Sequence, residues 1–505
     1  MYDAIVVGAR CAGAPAAMLP ARGGYRVLLV DRGAFPSDIM STHYIHETGT
    51  ARLAAWGLLE RAVASNCPPI STVTVDFGPF ALTGAPPAAD GAPHYAICPR
   101  RTALDTILVE AAMAAGAELR ERFTVDGLLW DGDRVAGIRG HARGGALVAE
   151  RARVVIGADG LRSVVARGVA AATYRATPPL TCGYYAYWSG VPLPGAALFP
   201  RAGHRVFAFP TNDGLTCIAA QWPHAEFHAV RADIAGNFAA TLDEVSPPFA
   251  EAVRAGWREE RFVGTADLPN FFRASHGPSW ALVGDAGYHQ DPNTGQGITN
   301  AFRDAELLAD ALAAGLAGAA PLDAALADYE RRRNEAATPY YDYSLERASL
   351  QPPTEQARQP ARHRPAVGRC RGDGLTRRVL RRGERRADHR RGRDGAAGRR
   401  RLTGRAAKAA VRRRGPARAA RCAMLPAPAA LTGRPRGRRG WRRTGGTRRG
   451  CARRWTTWPR SPRSARRWLG STRPVRRAPS SPRKPRCRGR SRDRRSASWP
   501  GRSTR

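Results

Sequence analysis

The 505 residues carry a formal net charge of +39, but that charge is not spread along the chain. Residues 1–350 hold 30 Arg and no Lys against 36 acidic residues, a net charge of −6, while residues 351–505 hold 49 Arg and 2 Lys against 6 acidic residues, a net charge of +45. No stretch approaches the roughly 18 uninterrupted apolar residues of a membrane span. The five cysteines of the first part (Cys11, Cys67, Cys98, Cys182 and Cys217) form no C-x-x-C pair, which argues against a redox disulfide or a zinc site. The first strand pattern begins at Tyr2 and leaves no room for a signal peptide, so a reducing cytoplasm is the expected compartment.

In chain order, Tyr2–Val7 reads as a short buried strand ended by Gly8. Gly13 and Ala17 then let a helix pack closely on a sheet. Gly24 ends that helix, Arg26–Val30 reads as a second strand, and Asp31 closes it with Arg32 beside it. Gly8 to Asp31 is near the spacing of a dinucleotide fingerprint whose acidic residue binds ribose. Arg10 occupies the middle glycine position of that fingerprint, and Pro20 falls inside the helix at a cost in stability. Taken alone, the segment fits a dinucleotide site or plain βαβ packing. Arg101 opens an amphipathic helix that runs to about Gly116. Val154–Ile156 leads into Gly157-Ala158-Asp159-Gly160, followed by Ser163 and Arg167; Asp159 also suits a helix N-cap.

Aromatic-rich strand patterns cover Leu180–Gly190, His204–Phe209 and Leu215–Trp222, with a turn at Thr211–Gly214. Their alternation predicts an antiparallel sheet. Tyr185, Tyr187 and Phe209 are candidates to line a substrate pocket, although core packing explains aromatics at alternate strand positions equally well. Helical pattern covers His224–Leu242, and a strand lies near Phe262–Leu268. Trp280–Val283 then runs into Gly284-Asp285, a loop bearing Pro292, and Gly295-Gln296-Gly297 before a helix opening at about Ile298 with Asp304-Ala305. A further helix carries Leu322, Leu326 and Tyr329, with Arg331–Arg333 expected as its solvated end.

The segment 284–308 resembles the second FAD-binding motif of flavoprotein monooxygenases that share the para-hydroxybenzoate hydroxylase fold. Gly287-Tyr288 and Thr299-Asn300-Ala301 depart from that pattern. The resemblance implies an α/β fold in which a Rossmann-like FAD-binding domain (1–70, 96–177 and 264–349) is interleaved with an antiparallel-sheet substrate domain (71–95 and 178–263). It implies FAD as cofactor, NADPH or NADH as reductant, and dioxygen and a small organic molecule as substrates, with oxygen transfer through a flavin C4a-hydroperoxide. Gly8, Arg10, Gly13, Asp31, Arg32, Arg101, Asp159 and Gly160 would form one side of the cofactor site. Gly284, Asp285, Pro292, Gly295, Gln296, Gly297 and Ile298 would form the other. Asp31 would accept from the adenosine ribose, Arg101 would meet the pyrophosphate, Asp285 would hold the ribityl chain, and the Gly295–Ile298 amides would face N1 and O2. No general acid or base is assigned: His43 and His289 lie in cofactor-proximal loops, where a structural role is the commoner one.

Two related branches share these motifs. One reduces isoprenoid double bonds; the other, the flavin halogenases, relies on a lysine that residues 1–350 lack. The tail from 350 to 505 contains no Ile, Phe, Tyr or Asn and is expected to be disordered. Its cations and tryptophans would suit non-specific nucleic-acid binding. Its Arg, Gly, Ala, Pro and Trp are equally what a reading-frame change near residues 350–365 would yield from a GC-rich gene, and this reading is preferred.

Overall fold

A computed structural model describes residues 1–85 and 93–351; the expectations attached to the arginine-rich tail lie outside the described residues. Period-two alternation of apolar side chains builds the first sheet. Ala4, Val6, Val27 and Leu29 face one core, and Ile5, Val7, Leu28 and Val30 face the other, as strands covered on both sides require. The strand order is His276–Gly277, Trp280–Leu282, Val148–Gly157, Tyr2–Val7, Val27–Val30 and Glu118–Arg120. All but the first run parallel. Register sets Val7 beside Val30 and Gly157, and Gly157 beside Leu282. Four strands therefore end at one level, the edge at which open α/β sheets bind ligands.

Helices Gly13–Arg22, Arg101–Ala114 and Gly297–Leu316 cover one face. Pro20 lies inside the first of them, as expected. The other face packs against a meander of Phe123–Asp131 and Arg134–Ala142 joined to Val148–Gly157. The sequence reading assigned no element between the Arg101 helix and Val154.

In the second sheet, Thr181–Ser189, Thr216–Pro223, Arg205–Pro210 and Ala196–Pro200 pair antiparallel in that order. Val73–Asp76 then runs parallel to Ala196–Pro200, so the sheet is mixed at one end. That strand enters from a distant part of the chain and no hairpin dictates its direction. Tyr184, Ala186 and Trp188 pack against a layer of helices, while Tyr185 and Tyr187 face the opposite way. The helix expected over 224–242 is broken at Asp233, whose carboxylate caps Ile234–Val245 by accepting from the Gly236 amide. Among the described residues no helix is long and apolar enough to cross a membrane.

The final helix runs from Leu322 to Ala348, which corrects the expectation of a solvated end at Arg331–Arg333. Arg331 is exposed, but Arg333 is fully buried. Its guanidinium lies over the Phe272 and Tyr288 rings and donates to Ser275 Oγ and Asn334 Oδ1. Aromatic faces and fixed acceptors replace its water shell. Arg333→Ala is expected to lower the unfolding free energy by about 3 kcal/mol, because it leaves a cavity and unpaired buried acceptors. Arg331→Ala should change it by less than about 1 kcal/mol. Urea unfolding of the two variants checks the contrast.

Candidate functional site

The site begins where the strands end. Gly8 has φ +98°, and a Cβ there would stand 2.5 Å from the Ala158 carbonyl oxygen. Only glycine combines that backbone conformation with so close an approach. Gly13 packs against the Gly8 carbonyl, which brings the first helix onto the turn. The Asp31 carboxylate accepts from the amides of Ala9 at 2.8 Å and Gly33 at 2.7 Å. It thereby holds two neighbouring turns in place. Arg32 is exposed beside it.

Arg10 and Arg101 meet at Asp105. The Arg101 guanidinium donates to both carboxylate oxygens, with Nη2 at 2.9 Å from each, and Arg10 Nη1 reaches the same carboxylate at 2.7 Å. Arg10 Nη2 also donates to Ser37 Oγ at 2.9 Å. Burial pulls the Arg101 pKa down, but Cys11 and Asp105 beside it outweigh burial and leave it raised, with Asp285 adding to that effect. Two guanidinium groups on one buried carboxylate leave a positive charge suited to phosphate. The sequence reading missed Asp105. Its only signal was a carboxylate four residues after Arg101, on a helix face that is otherwise apolar.

On the facing segment, a Cβ on Gly284 would stand 2.7 Å from Ala12 Cβ; this contact joins the two motifs. Asp285 is exposed and makes no hydrogen bond to a described residue. Pro292 is exposed in a 3-10 turn that leads to Gly295. The helix opens at Gly297, and Gln296 supplies no side-chain cap. Ile298 is buried just inside it. Gly297 itself borders open space, with no atom within 4 Å of a built Cβ. Free amides and the positive dipole end thus face outward together.

Asp159 is drawn partly into a structural role. Its carboxylate accepts from Ser163 Oγ at 2.5 Å and from the Val164 amide at 2.6 Å, at the start of Val164–Gly168. Burial raises its pKa and these bonds oppose the rise. Gly160 next to it borders open space.

Tyr185, Tyr187 and Phe209 fall in one cluster together with Tyr44. Tyr44 is the link that the sequence reading missed. Its ring lies 4.7 Å from that of Phe209, and a Cβ on Gly295 would stand 3.3 Å from its Cδ1. His43 is buried with Nε2 2.6 Å from the Tyr187 hydroxyl and Nδ1 3.2 Å from Cys98 Sγ. Burial, then the charges of Arg100 and Arg101, lower its pKa to about 3, so the imidazole is neutral. Arg100 stacks 3.9 Å over the Tyr187 ring. Burial pushes the Tyr185 phenol up to about 12, and its oxygen accepts from the Ser41 amide at 3.1 Å. His289 instead faces the Pro269 carbonyl.

Residues 1–182 match the FAD binding domain family. The chain is an FAD-dependent oxidoreductase. The oxidoreductase is 28% identical to rifampicin monooxygenase of Streptomyces venezuelae over 364 residues, covering 70% of this chain and 71% of that one. It is 27% identical to digeranylgeranylglycerophospholipid reductase 1 of Methanopyrus kandleri over 321 residues, or 60% and 77% of the two chains. The structure of the myxobacterial chondrochloren halogenase superposes with a TM-score of 0.64 at 22% identity, over 79% of this chain and 91% of that one, which speaks for the fold alone. The oxidoreductase's own residues fit FAD: an uncapped helix start, a free carboxylate and a pinned arginine pair follow one another along the carboxyl edge of the sheet.

Asp105→Asn should weaken FAD binding by about tenfold or more, since it loosens both arginines at once; flavin fluorescence quenching on titration reads this directly. The lowered His43 pKa carries a signed consequence. Between about pH 6.5 and 3 the unfolded chain binds a proton at this histidine that the folded chain does not. Stability therefore falls as pH drops through that window, by up to about 1.4 kcal/mol per pH unit. His43→Asn should flatten the slope of unfolding free energy against pH relative to the parent, and an unchanged slope would refute the assignment.

Proposed function

We propose that the oxidoreductase is an NAD(P)H-dependent monooxygenase that hydroxylates a small organic or natural-product substrate. One observation carries this reading: the aromatic side of the second sheet meets the Gly295 turn through Tyr44. A substrate on that side lies against the ring end of the cofactor site. Asp31 would accept from the adenosine ribose, although it already receives two amides. Arg10 and Arg101, held by Asp105, would meet the pyrophosphate, with Gly160 on the open side of the same turn. Asp285 would take the ribityl hydroxyls, and the amides from Gly297 would face the electron-rich edge of the ring. Bound FAD supplies hydride acceptance and dioxygen activation. The chain supplies binding, orientation and an aromatic wall that excludes water.

The similarity to the archaeal reductase supports a second reading, reduction of an isoprenoid-type double bond. The halogenase reading has no lysine in residues 1–350 to support it. The FAD-loaded full chain, given NAD(P)H, isotopically heavy dioxygen and a panel of aromatic scaffolds, should release product with one labelled oxygen and consume one NAD(P)H per product. Hydrogenated, unlabelled product formed equally well without dioxygen would instead establish the reductase reading.

A further inference from the structure

His46 stands where a helix ordinarily carries a capping side chain. It is the N-cap of Glu47–Ala55, and its carbonyl accepts from the Gly49 and Thr50 amides. Its ring, however, makes no bond to that helix. It reaches across 248 positions of sequence and brings Nε2 to 2.9 Å from the Thr294 carbonyl oxygen. A carbonyl only accepts, so Nε2 carries the proton. Burial lowers the His46 pKa, against the opposing effects of the Thr294 carbonyl and Glu47. The imidazole is therefore neutral, and Nε2–H is its one donor.

Neighbouring groups fix this reach. The His46 amide donates to Thr299 Oγ1 at 3.1 Å. Gly49 lets the two helices come close, since a Cβ there would stand 2.9 Å from the same hydroxyl. Tyr44 packs edge-on against the His46 ring, with centroids 4.8 Å apart. Gly295 rests on this pair: its Cβ would lie 3.3 Å from Tyr44 Cδ1 and 3.4 Å from His46 Nε2.

The Thr294 carbonyl matters because of its place in the helix pattern. It lies four residues before Ile298, so the Ile298 amide would take it if Gly297–Leu316 were extended by one turn. Among the described residues that amide has no acceptor, nor have those of Gln296 and Gly297. Gly295 does not by itself prevent the extension. Its φ of +65° is left-handed, but glycine takes the right-handed form about as readily, and Gln296 is already helical at φ −84° and ψ −13°. The Gly295 amide bonds the Pro292 carbonyl in a 3-10 pattern that a continuous helix would tolerate. A change of hand at Gly295 would swing the Pro292–Thr294 turn onto the end of the helix and cover its open start. Upstream, Asp291 and Asn293 are tied to Ser344; the next tie along the chain is His46 on Thr294.

We propose that His46 is a positioning residue: by holding the Thr294 carbonyl away from the Ile298 amide, it keeps the amides of Gln296, Gly297 and Ile298 open toward the electron-rich edge of the flavin. Three free donors at a positive dipole end favour the reduced, more negative ring over the oxidised one. His46 thus acts on the cofactor's potential without touching the cofactor. The proposal rests on the placement of the ring end at Gly297 given above.

His46→Asn and His46→Gln, which differ by one methylene, test it. Asparagine is a better N-cap for Glu47–Ala55, which protects folding, but it falls short of Thr294. Glutamine carries an N–H to about where Nε2 stands. Two readings are taken on the full chain: amide hydrogen exchange across residues 294–300 without flavin, and the two-electron midpoint potential with FAD bound. His46→Asn should slow Ile298 exchange several-fold. It should also lower the potential by about 20–30 mV, a five- to tenfold loss of preference for reduced flavin. His46→Gln should match the parent in both. Parent-like exchange in His46→Asn, or His46→Gln shifted as far as His46→Asn, would overturn the proposal. The exchange contrast with an unchanged potential, or in a chain that takes up no FAD, would support the hold on Thr294 and sink the ring-end placement instead.

Discussion

Everything at the site depends on how closely Gly8 approaches the Ala158 carbonyl. A side chain at Gly8 would collide with that oxygen at 2.5 Å, so this one contact sets the separation of the two central strand ends. With that separation fixed, register brings the ends of Val27–Val30 and Trp280–Leu282 to the same level. Gly284 then meets Ala12, and two motifs more than 270 positions apart become neighbouring walls of one cleft. The cleft is a consequence of sheet geometry before it is a matter of chemistry.

The electrostatics of the cleft follow a simple division. Charges in its structural shell are paired on buried carboxylates: the partly buried Arg10 and the buried Arg101 on Asp105, and the partly buried Arg303 on Asp304. His43 avoids the cost by remaining neutral. The exposed Asp285 and the uncapped start of Gly297–Leu316 are left free on the open side. Burying a charge without a partner is expensive, so groups that are left open beside so many paired ones are those free to meet a ligand. Across the cleft, Asp291 ties the second sheet to the cofactor segment, since its carboxylate accepts from Thr181 and Gln221 and its carbonyl accepts from Ser344. The aromatic face and the Gly295 turn are thus held in fixed relation.

The parts of this arrangement that were legible in the sequence are the local ones. Gly8, Asp31 and the Gly284–Ile298 run announce themselves because turns and strand ends restrict residue type, and alternation at Tyr184–Trp188 shows that a sheet has two faces. Asp105, Tyr44 and Asp291 were not legible, because each matters through a partner far away in the chain. Asp105 joins Arg10 to Arg101, Tyr44 joins Gly295 to Phe209, and Asp291 joins two sheets' worth of structure. Arg333 misled for the same reason: three consecutive arginines read as a solvated end until the rings of Phe272 and Tyr288 are placed around one of them. The parallel entry of Val73–Asp76 likewise has no local cause.

The central claim is that one cleft, assembled from the segments at Gly8–Asp31 and Gly284–Ile298, holds a whole dinucleotide. Equilibrium titration of the full-length apoprotein with FAD and, separately, with FMN tests it most directly. FAD should bind stoichiometrically and far more tightly than FMN, because Asp31 would serve the adenosine that FMN lacks, and Arg10 and Arg101 would serve a pyrophosphate of which FMN has only one phosphate. A folded protein that takes up neither flavin, or that binds both with equal affinity, would contradict the account.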